Sequence, residues 1–327
     1  MSAALSFAIR AYPTQRPGLV VRVGTRASPL ALRQTSLVLT ALRTADHNAR
    51  FHTTTFTTSG DRILDRHLAD VGGKGLFAKE LDAALLDRRI DFAVHSLKDL
   101  ETSLPRGIAL ACVLPRADPR DALVLAPDCA PRDWPHPLPM LPPGARIGTA
   151  SARRQAQILH LRPDLRVGLI RGNIQTRISR LGGHGFAATL LAIAGIHRLK
   201  LNTVDVSILP ADQIIPAACQ GIIGVTVRDG DARNLDLLSR INDPVAWAQA
   251  QAERALLRAL DGSCRTPIGA YAQALPGNEL RLTGMVARPD GSFLLKREYR
   301  GGMTDPTALG TELGRSLRAD SPTDLFA

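Results

Sequence analysis

The sequence predicts an α/β protein: two doubly wound units with parallel sheets, followed by a smaller α+β unit. Three observations carry this. Short β-branched or apolar runs alternate with stretches of helical periodicity over the first 200 residues, the pattern of parallel strands joined by helices. A Pro-rich stretch, Ala126–Pro143, holds seven of the 22 prolines and interrupts that alternation. The last third changes character, with one long helical pattern and then three apolar runs spaced like an antiparallel meander. A length of 327 residues suits two or three domains.

Taken in order, Val20–Gly24 reads as a strand, and Ser28-Pro29 opens a helix with a hydroxyl N-cap and a proline in the first turn. Leu30, Leu37, Val38, Ala41, Leu42 and Ala45 continue it at helical spacing. Phe51–Thr57 is strand-like. Phe77, Leu81, Ala84 and Leu85 form a core-facing helical stripe, and Phe92–Ser96 is a short buried strand. Ile108–Leu114 is an apolar run that makes Cys112 a core cysteine. The Pro-rich stretch reads as a surface excursion. A second unit follows: strand Arg146–Gly148, helix from Ser151, strand Arg166–Ile170, helix from Asn173, strand Ala187–Leu191. After Asp243-Pro244 comes a helix carrying Ala246, Ala250, Leu257 and Leu260. The meander runs are Ile268–Ala272, Leu280–Val286 and Phe293–Tyr299, and a final helix spans Pro306–Leu317.

Composition excludes several classes. Apolar residues are 45% and charged residues 22%, which suits a folded globular chain. No uncharged apolar run approaches the roughly 18 residues of a membrane span; Phe186–Ile196 has 11. Four scattered cysteines are neither a disulfide framework nor a Cys-x-x-Cys metal or redox motif, and they suit a reducing cytosol. Met1–Gln15 lacks the basic start and long apolar core of a secretory signal and reads as a disordered leader. The net charge of +11 would suit a nucleic-acid binder, but the cations are scattered and aromatic residues are only 4%. Of the 41 basic residues 36 are Arg, so the chemistry favoured is bidentate grip on carboxylates or phosphates. Three of the five lysines, Lys74, Lys79 and Lys98, fall within 25 residues.

Six segments carry candidate chemistry. Arg26 precedes the Ser28 helix start, where an anion between the two would favour both. In Gly148-Thr-Ala-Ser-Ala-Arg-Arg-Gln, Ser151 caps a helix whose first turn holds Arg153 and Arg154. Two cations there oppose the helix dipole by about 0.3–1 kcal/mol each, which an anionic ligand would offset. Arg171 and Arg177 flank a third strand-to-helix turn. Three such turns point to one polyanion site at the carboxyl ends of the strands. Asp99, in His95-Ser-Leu-Lys-Asp, stands beside Lys98 at a strand's carboxyl end and is placed for catalysis, whereas His95 reads as structural. Gly72-Gly-Lys-Gly surrounds Lys74 with glycine but lacks P-loop spacing. Cys264, in a Gly/Ser/Pro loop beside Arg265, is an accessible thiol favouring thiolate.

In order along the chain, TRASPLAL, GGKGLFAKELD, HSLKD, DPRDALV, GTASARRQ, RGNIQTR, LLAIAGIHRL, PAACQGIIGV and GSCRTPIG resemble the porphobilinogen deaminase (hydroxymethylbilane synthase) family from about Val21 to Ala272. The resemblance implies two periplasmic-binding-protein-like (type II) lobes and a small α+β C-terminal domain. It divides the chain into 19–116 with 217–240, 117–216, and 241–327. It implies a transferase that joins four porphobilinogens head to tail, losing ammonia, into the linear tetrapyrrole hydroxymethylbilane. It implies a dipyrromethane cofactor in thioether linkage to Cys264, with Ser28, Ser96, Lys98, Ser151, Arg153, Arg154 and Arg171 around it. It places Arg26, Lys74, Arg177, Arg198 and Gln220 on the substrate, makes Asp99 catalytic and requires no metal. A cytoplasmic monomer without nucleic-acid or membrane partners is expected. Two departures stand out: Leu100-Glu101 follows HSLKD where Val-Pro is usual, and Cys219 stands where Gly is commoner, which makes it a second possible thiol. An anion-binding module without need of Asp99 or Cys264, and a nucleic-acid binder, remain as other classes. The mass of a covalent cofactor would separate them.

Overall fold

A computed structural model describes residues 20–63, 75–129, 141–183, 185–201, 204–260 and 266–326. The leader, most of the Pro-rich stretch, Lys74 and Cys264 with Arg265 lie outside these residues.

The first lobe begins with β1 (Val20–Arg26), helix α1 (Pro29–Ala45) and β2 (Arg50–Phe56). The Ser28 hydroxyl accepts the Ala31 N–H, as the N-cap reading requires. Ala31, Gln34, Thr35, Val38, Leu39 and Leu42 form the buried face of α1. A single turn, α2 (Ser59–Arg62), and helix α3 (Lys79–Leu86) lead to β3 (Phe92–Ser96) and β4 (Ile108–Val113). The strand predicted to end at Gly24 continues to Arg26, because Thr25 and Arg26 stay in register with Thr55 and Phe56. That extension carries Arg26 to the lip of the sheet.

The second lobe holds β5 (Asp121–Leu125), β6 (Arg146–Gly148), α4 (Ala152–Leu161), β7 (Arg166–Gly168), α5 (Ile174–Ser179), β8 (Ala188–Ala192), α6 (Ile193–Arg198) and β9 (Val206–Ile208). The chain then returns with β10 (Ile223–Arg228) and α7 (Ala232–Ser239). Strand β7 ends two residues earlier than predicted, yet Ile170 beyond it remains fully buried. The strands β5 and β9 and helix α7 were not distinguished in the sequence; β5 is only five residues long, set between Pro119 and Pro127.

The two sheets share one layout. Their orders are β2-β1-β3-β10-β4 and β7-β6-β8-β5-β9. In the first, β1 runs parallel to β2 and β3 while β10 runs antiparallel to β3 and β4. In the second, β6 runs parallel to β7 and β8 while β5 runs antiparallel to β8 and β9. Each lobe is thus a doubly wound sheet with one reversed strand, the first strand after a crossing between the lobes, and its helix N-termini gather at the carboxyl ends of the parallel strands. The third domain packs α8 (Pro244–Leu260) and α9 (Pro306–Ala319) on the meander β11 (Ile268–Leu275), β12 (Glu279–Ala287) and β13 (Leu294–Gly302). Leu256, Leu260, Leu282, Leu313 and Leu317 are fully buried between them, each contributing about 1.5–3 kcal/mol by burial.

Two segments cross between the lobes side by side, with Ala117 N–H donating to the Gly221 carbonyl at 3.1 Å. Gly221 has φ +90°, and a Cβ there would meet the Ala117 oxygen at 2.4 Å, so only glycine fits. Glu253 of α8 is fully buried at this junction. It accepts from Arg116 (2.5 Å), Cys219 N–H (2.5 Å) and Ala272 N–H (2.6 Å), which ties the third domain to both crossings. Arg254 donates to the carbonyls of Glu101 (2.6 Å) and Thr102 (3.0 Å), bracing the loop behind Asp99.

Candidate functional site

A cleft of about 640 Å³ lies between the lobes, lined from both by Arg26, Ser28, Ser96, Lys98, Asp99, Ser151, Arg153, Arg154, Arg171, Arg177, Arg198 and Gln220. Every predicted site residue within the described chain therefore reaches one cavity. Lys74 and Cys264 lie outside the described residues.

On the first lobe, β1 delivers Arg26 and β3 delivers Ser96, after which a single 3-10 turn carries Lys98 and Asp99. Arg26 Nη1 lies 3.5 Å from Asp99 Oδ2. Its Nε donates to Asp61 Oδ2 at 3.2 Å, its Nη2 binds the other Asp61 oxygen, and its guanidinium stacks 4.3 Å from the Phe77 ring centroid. Burial alone would lower the Arg26 pKa, but the Asp61 hydrogen bond and the Asp99 and Asp61 charges outweigh it and raise it. Asp61 and Phe77 thus orient Arg26; the sequence marked Phe77 only as core, and nothing local marked Asp61. Gln34 of α1 exchanges hydrogen bonds with Ser96 Oγ at 2.8 and 3.1 Å. His95 is buried, pairs with Thr226 Oγ1 at 3.0 Å, and is pushed down to about 3 by burial and by Arg26, so it is neutral and structural as read. Lys98 keeps open surface, but that surface faces the cleft, so depth rather than area governs its charge. Burial pushes it down to about 8, opposed by Asp99 and Asp121 and reinforced by Arg154 and Arg153.

On the second lobe, Ser151 caps α4 by accepting the Arg154 N–H at 3.4 Å. The two first-turn arginines were expected to wait for an external anion. The structure shows an internal one. Asp121 is fully buried and accepts from Arg153 Nη2 (2.8 Å), Arg154 Nη2 (2.8 Å) and Arg154 Nε (3.2 Å). Arg153 also donates to the Ile215 carbonyl and Arg154 to that of Leu190. Burial opposes the charge on Asp121, but the two arginines hold it ionised well below the usual carboxylate range. The signal for Asp121 was present in DPRDALV: an acid opening an apolar run, in a chain whose α4 needs an anion. Gln220, 1% exposed, also donates to Asp121, at 2.7 Å. Arg177 Nε donates to the Gly172 carbonyl at 3.0 Å, and Arg198 Nη2 to that of Gly221 at 2.6 Å. Arg177 is pushed down to about 10 by burial and then by Arg154 and Arg171, and Arg198 to about 10 by burial. Arg171 is buried beside them.

The cleft wall thus carries seven cationic side chains against the two carboxylates Asp61 and Asp99, a donor set that fits a polycarboxylate such as a short pyrrole chain. Among the described residues no group of three His, Cys, Asp or Glu could hold a metal, and no helix could cross a membrane. Cys219 is 2% exposed and its thiol is pushed up to about 12 by burial and Glu253, so it is no rival nucleophile. Its φ of +61° is left-handed, which is why glycine suits that position better. Glu101 turns toward Asp82, whose carboxyl is pushed up to about 6 by burial and by Glu101.

Sequence comparison places the chain among known proteins. Residues 21–236 match the porphobilinogen deaminase, dipyromethane cofactor binding domain, and 247–319 match the porphobilinogen deaminase C-terminal domain. The chain is 44% identical to the porphobilinogen deaminase of Paracoccus denitrificans, covering 94% of this chain and 96% of that one. It is 41% identical to the chloroplastic porphobilinogen deaminase of Oryza sativa, covering 94% and 86%. A solved structure, the probable amino-acid ABC transporter extracellular-binding protein of Bacillus subtilis, aligns with 68% of this chain and 90% of its own at 13% identity and TM-score 0.44. The nine ordered motifs, the cation-lined cleft around Asp99 and the match along nearly the whole sequence agree: the chain belongs to the porphobilinogen deaminase family, the hydroxymethylbilane synthases of tetrapyrrole biosynthesis.

Proposed function

We propose that Asp99 is the catalytic carboxylate of porphobilinogen condensation and that the surrounding cations hold the acetate and propionate groups of substrate and product. One observation carries this reading: of the two carboxylates lining the cleft, Asp61 is committed to Arg26 and Thr58 by hydrogen bonds, whereas Asp99 stands 3.5 Å from Arg26 on the same wall. Loss of ammonia from porphobilinogen develops positive charge on a pyrrole. A fixed carboxylate stabilises that charge without reorganising, and Asp99 can take the α-proton that the terminal pyrrole of the chain loses when its carbon–carbon bond to the substrate methylene has formed and the ring regains aromaticity. Arg26, Arg177, Arg198, Gln220 and Lys74 serve the incoming substrate. Ser28, Ser96, Lys98, Ser151, Arg153, Arg154 and Arg171 serve the bound primer. Cys264 carries that primer, a dipyrromethane in thioether linkage, which when bound supplies the pyrrole carbon to which substrate is joined. The lobes divide as 19–116 with 217–240 and 117–216, with 241–327 as the third domain; the sheet membership of β5 and β10 supports this. The protein acts as a cytoplasmic monomer, with no nucleic-acid or membrane partner.

The test combines mass and rate. Purified protein should carry the mass of a dipyrromethane, and Cys264→Ser should lack it; an adduct that persists and maps to Cys219 overturns the assignment. Asp99→Asn should keep fold and adduct yet lose about 10²–10⁴-fold in kcat. A near-normal kcat in Asp99→Asn places the catalytic acid elsewhere.

A further inference from the structure

Asp121 does more than neutralise two arginines. The Gln220 side chain donates both amide hydrogens, one to the Pro119 carbonyl at 2.7 Å and one to Asp121 Oδ1 at 2.7 Å. With both donors committed the amide has one orientation, and its oxygen must face the other way. There Gln220 Oε1 accepts from Lys98 Nζ at 3.2 Å. The result is a continuous path from the guanidinium groups of Arg153 and Arg154, through a fully buried carboxylate and a 1%-exposed amide, to the ammonium next to Asp99. It begins in the second lobe, passes along the returning crossing and ends in the first.

We propose that Asp121 is a positioning residue of the reaction: through Gln220 it fixes the Lys98 ammonium beside Asp99, and directly it fixes Arg153 and Arg154 on the opposite wall. This rests on the reading of Asp99 and the arginines given above, and adds to it a residue that touches neither substrate nor primer. The logic is preorganisation. A lysine is a flexible point charge, and Lys98 faces two carboxylates, Asp99 and Asp121, and two like charges, Arg153 and Arg154. Without a fixed acceptor the repulsion from the second lobe would turn the ammonium away. The neutral amide supplies that acceptor, and its alignment by Asp121 directs the oxygen rather than the NH₂ toward Lys98. Buried networks of this kind act as a unit, so removing the middle link disturbs both ends.

The experiment follows the Lys98 titration itself. Only five lysines are present, so carbon-13 labelling at lysine Cε gives a short NMR spectrum, in which Lys98→Arg identifies the Lys98 signal. The parent should titrate near 8 at Lys98. Gln220→Met removes the acceptor and should lower the midpoint by about one pH unit, a tenfold change in proton affinity. Gln220→Glu keeps the size and substitutes a charged acceptor, and should raise it. Asp121→Asn should lower it; if that variant does not fold, the two Gln220 variants decide. A Lys98 midpoint unchanged in the Gln220 variants overturns the proposal and leaves Asp121 as an anchor for arginines alone. The basic limb of the porphobilinogen consumption profile should move in step with the NMR midpoint, which a purely structural role would not produce. If the parent consumes no porphobilinogen while the Lys98 midpoint still follows Gln220, the functional reading fails and the positioning path stands.

Discussion

Two neighbouring turns of the second lobe place arginines on the same cleft and give them different partners. In the turn after β6, Arg153 and Arg154 are 6% and 5% exposed and share the buried carboxylate of Asp121. In the turn after β7, Arg177 leans only on a backbone carbonyl among the hydrogen bonds resolved for it, and its pKa is depressed toward 10 by burial and by Arg154 and Arg171. The first turn is a finished electrostatic unit whose guanidinium geometry is set before any ligand arrives. Burial lowers the pKa of Arg153 as well as that of Arg177, but the first turn already holds an internal carboxylate, whereas at the second an arriving one would relieve the cost. Reading arginines from spacing alone makes the two turns equivalent; their partners differ, a buried carboxylate in the first and a backbone carbonyl in the second.

The contrast can be broken most severely at Asp121. Asp121→Leu leaves two buried guanidinium groups without their carboxylate and should cost about 3–5 kcal/mol, measured by chemical denaturation. A loss below 1 kcal/mol would mean the pair is not internally neutralised. Arg153→Leu leaves Asp121 with Arg154 and Gln220, and should cost about 1–3 kcal/mol. It also sharpens the pH dependence. Asp121 is depressed in the folded state, so the unfolded chain binds its proton more readily as acid is added. Its contribution is complete above the unfolded carboxylate value near 4 and is lost as pH falls below it. Arg153→Leu raises that folded value, so the variant should lose less stability than the parent between pH 4 and 2. The smallest structural effect belongs to Arg177→Leu, whose stability should stay within about 0.5 kcal/mol of the parent. Its KM for porphobilinogen should rise about tenfold or more, the equivalent of one charged hydrogen bond. An unstable Arg177→Leu with unchanged KM would erase the distinction between the turns.

What the sequence revealed divides by range. Ser28 and Ser151 were readable as helix caps because a cap is settled within three residues, and both accept the expected backbone N–H; Asn173, read only as the start of a helix, caps it in the same way. The third domain was readable because its strands are consecutive hairpins. Asp99 and the arginines were readable as residue types at strand ends, and the family resemblance gave them roles. Asp61 and Glu253 were not, because Arg26 lies 35 residues from the one and Arg116 137 residues from the other, and each looks locally like an ordinary surface acid; Asp121 left a local trace at the head of an apolar run, but its partners Arg153 and Arg154 lie 32 and 33 residues on. The same limit explains Glu101, which the sequence sets two residues after Asp99 and which raises the carboxyl of Asp82 across the packing of α3.

The placing of β10 also sets a timetable for synthesis. Strand β10 sits between β3 and β4 in the first sheet, yet it begins about 110 residues after β4 ends. At roughly 5–20 residues per second, the ribosome takes on the order of 5–20 s to supply it. During that interval the inward edges of β3 and β4 have no partner, while the second lobe, whose strands all fall within Asp121–Ile208, already has its full set. The lobe that is first in sequence is therefore the later to close, and Asp99 acquires its setting only when the returning strand leaves the exit tunnel. Slowing translation just before Ile223 would lengthen the exposure of those edges, and the nascent chain would then depend most on chaperones at that stage.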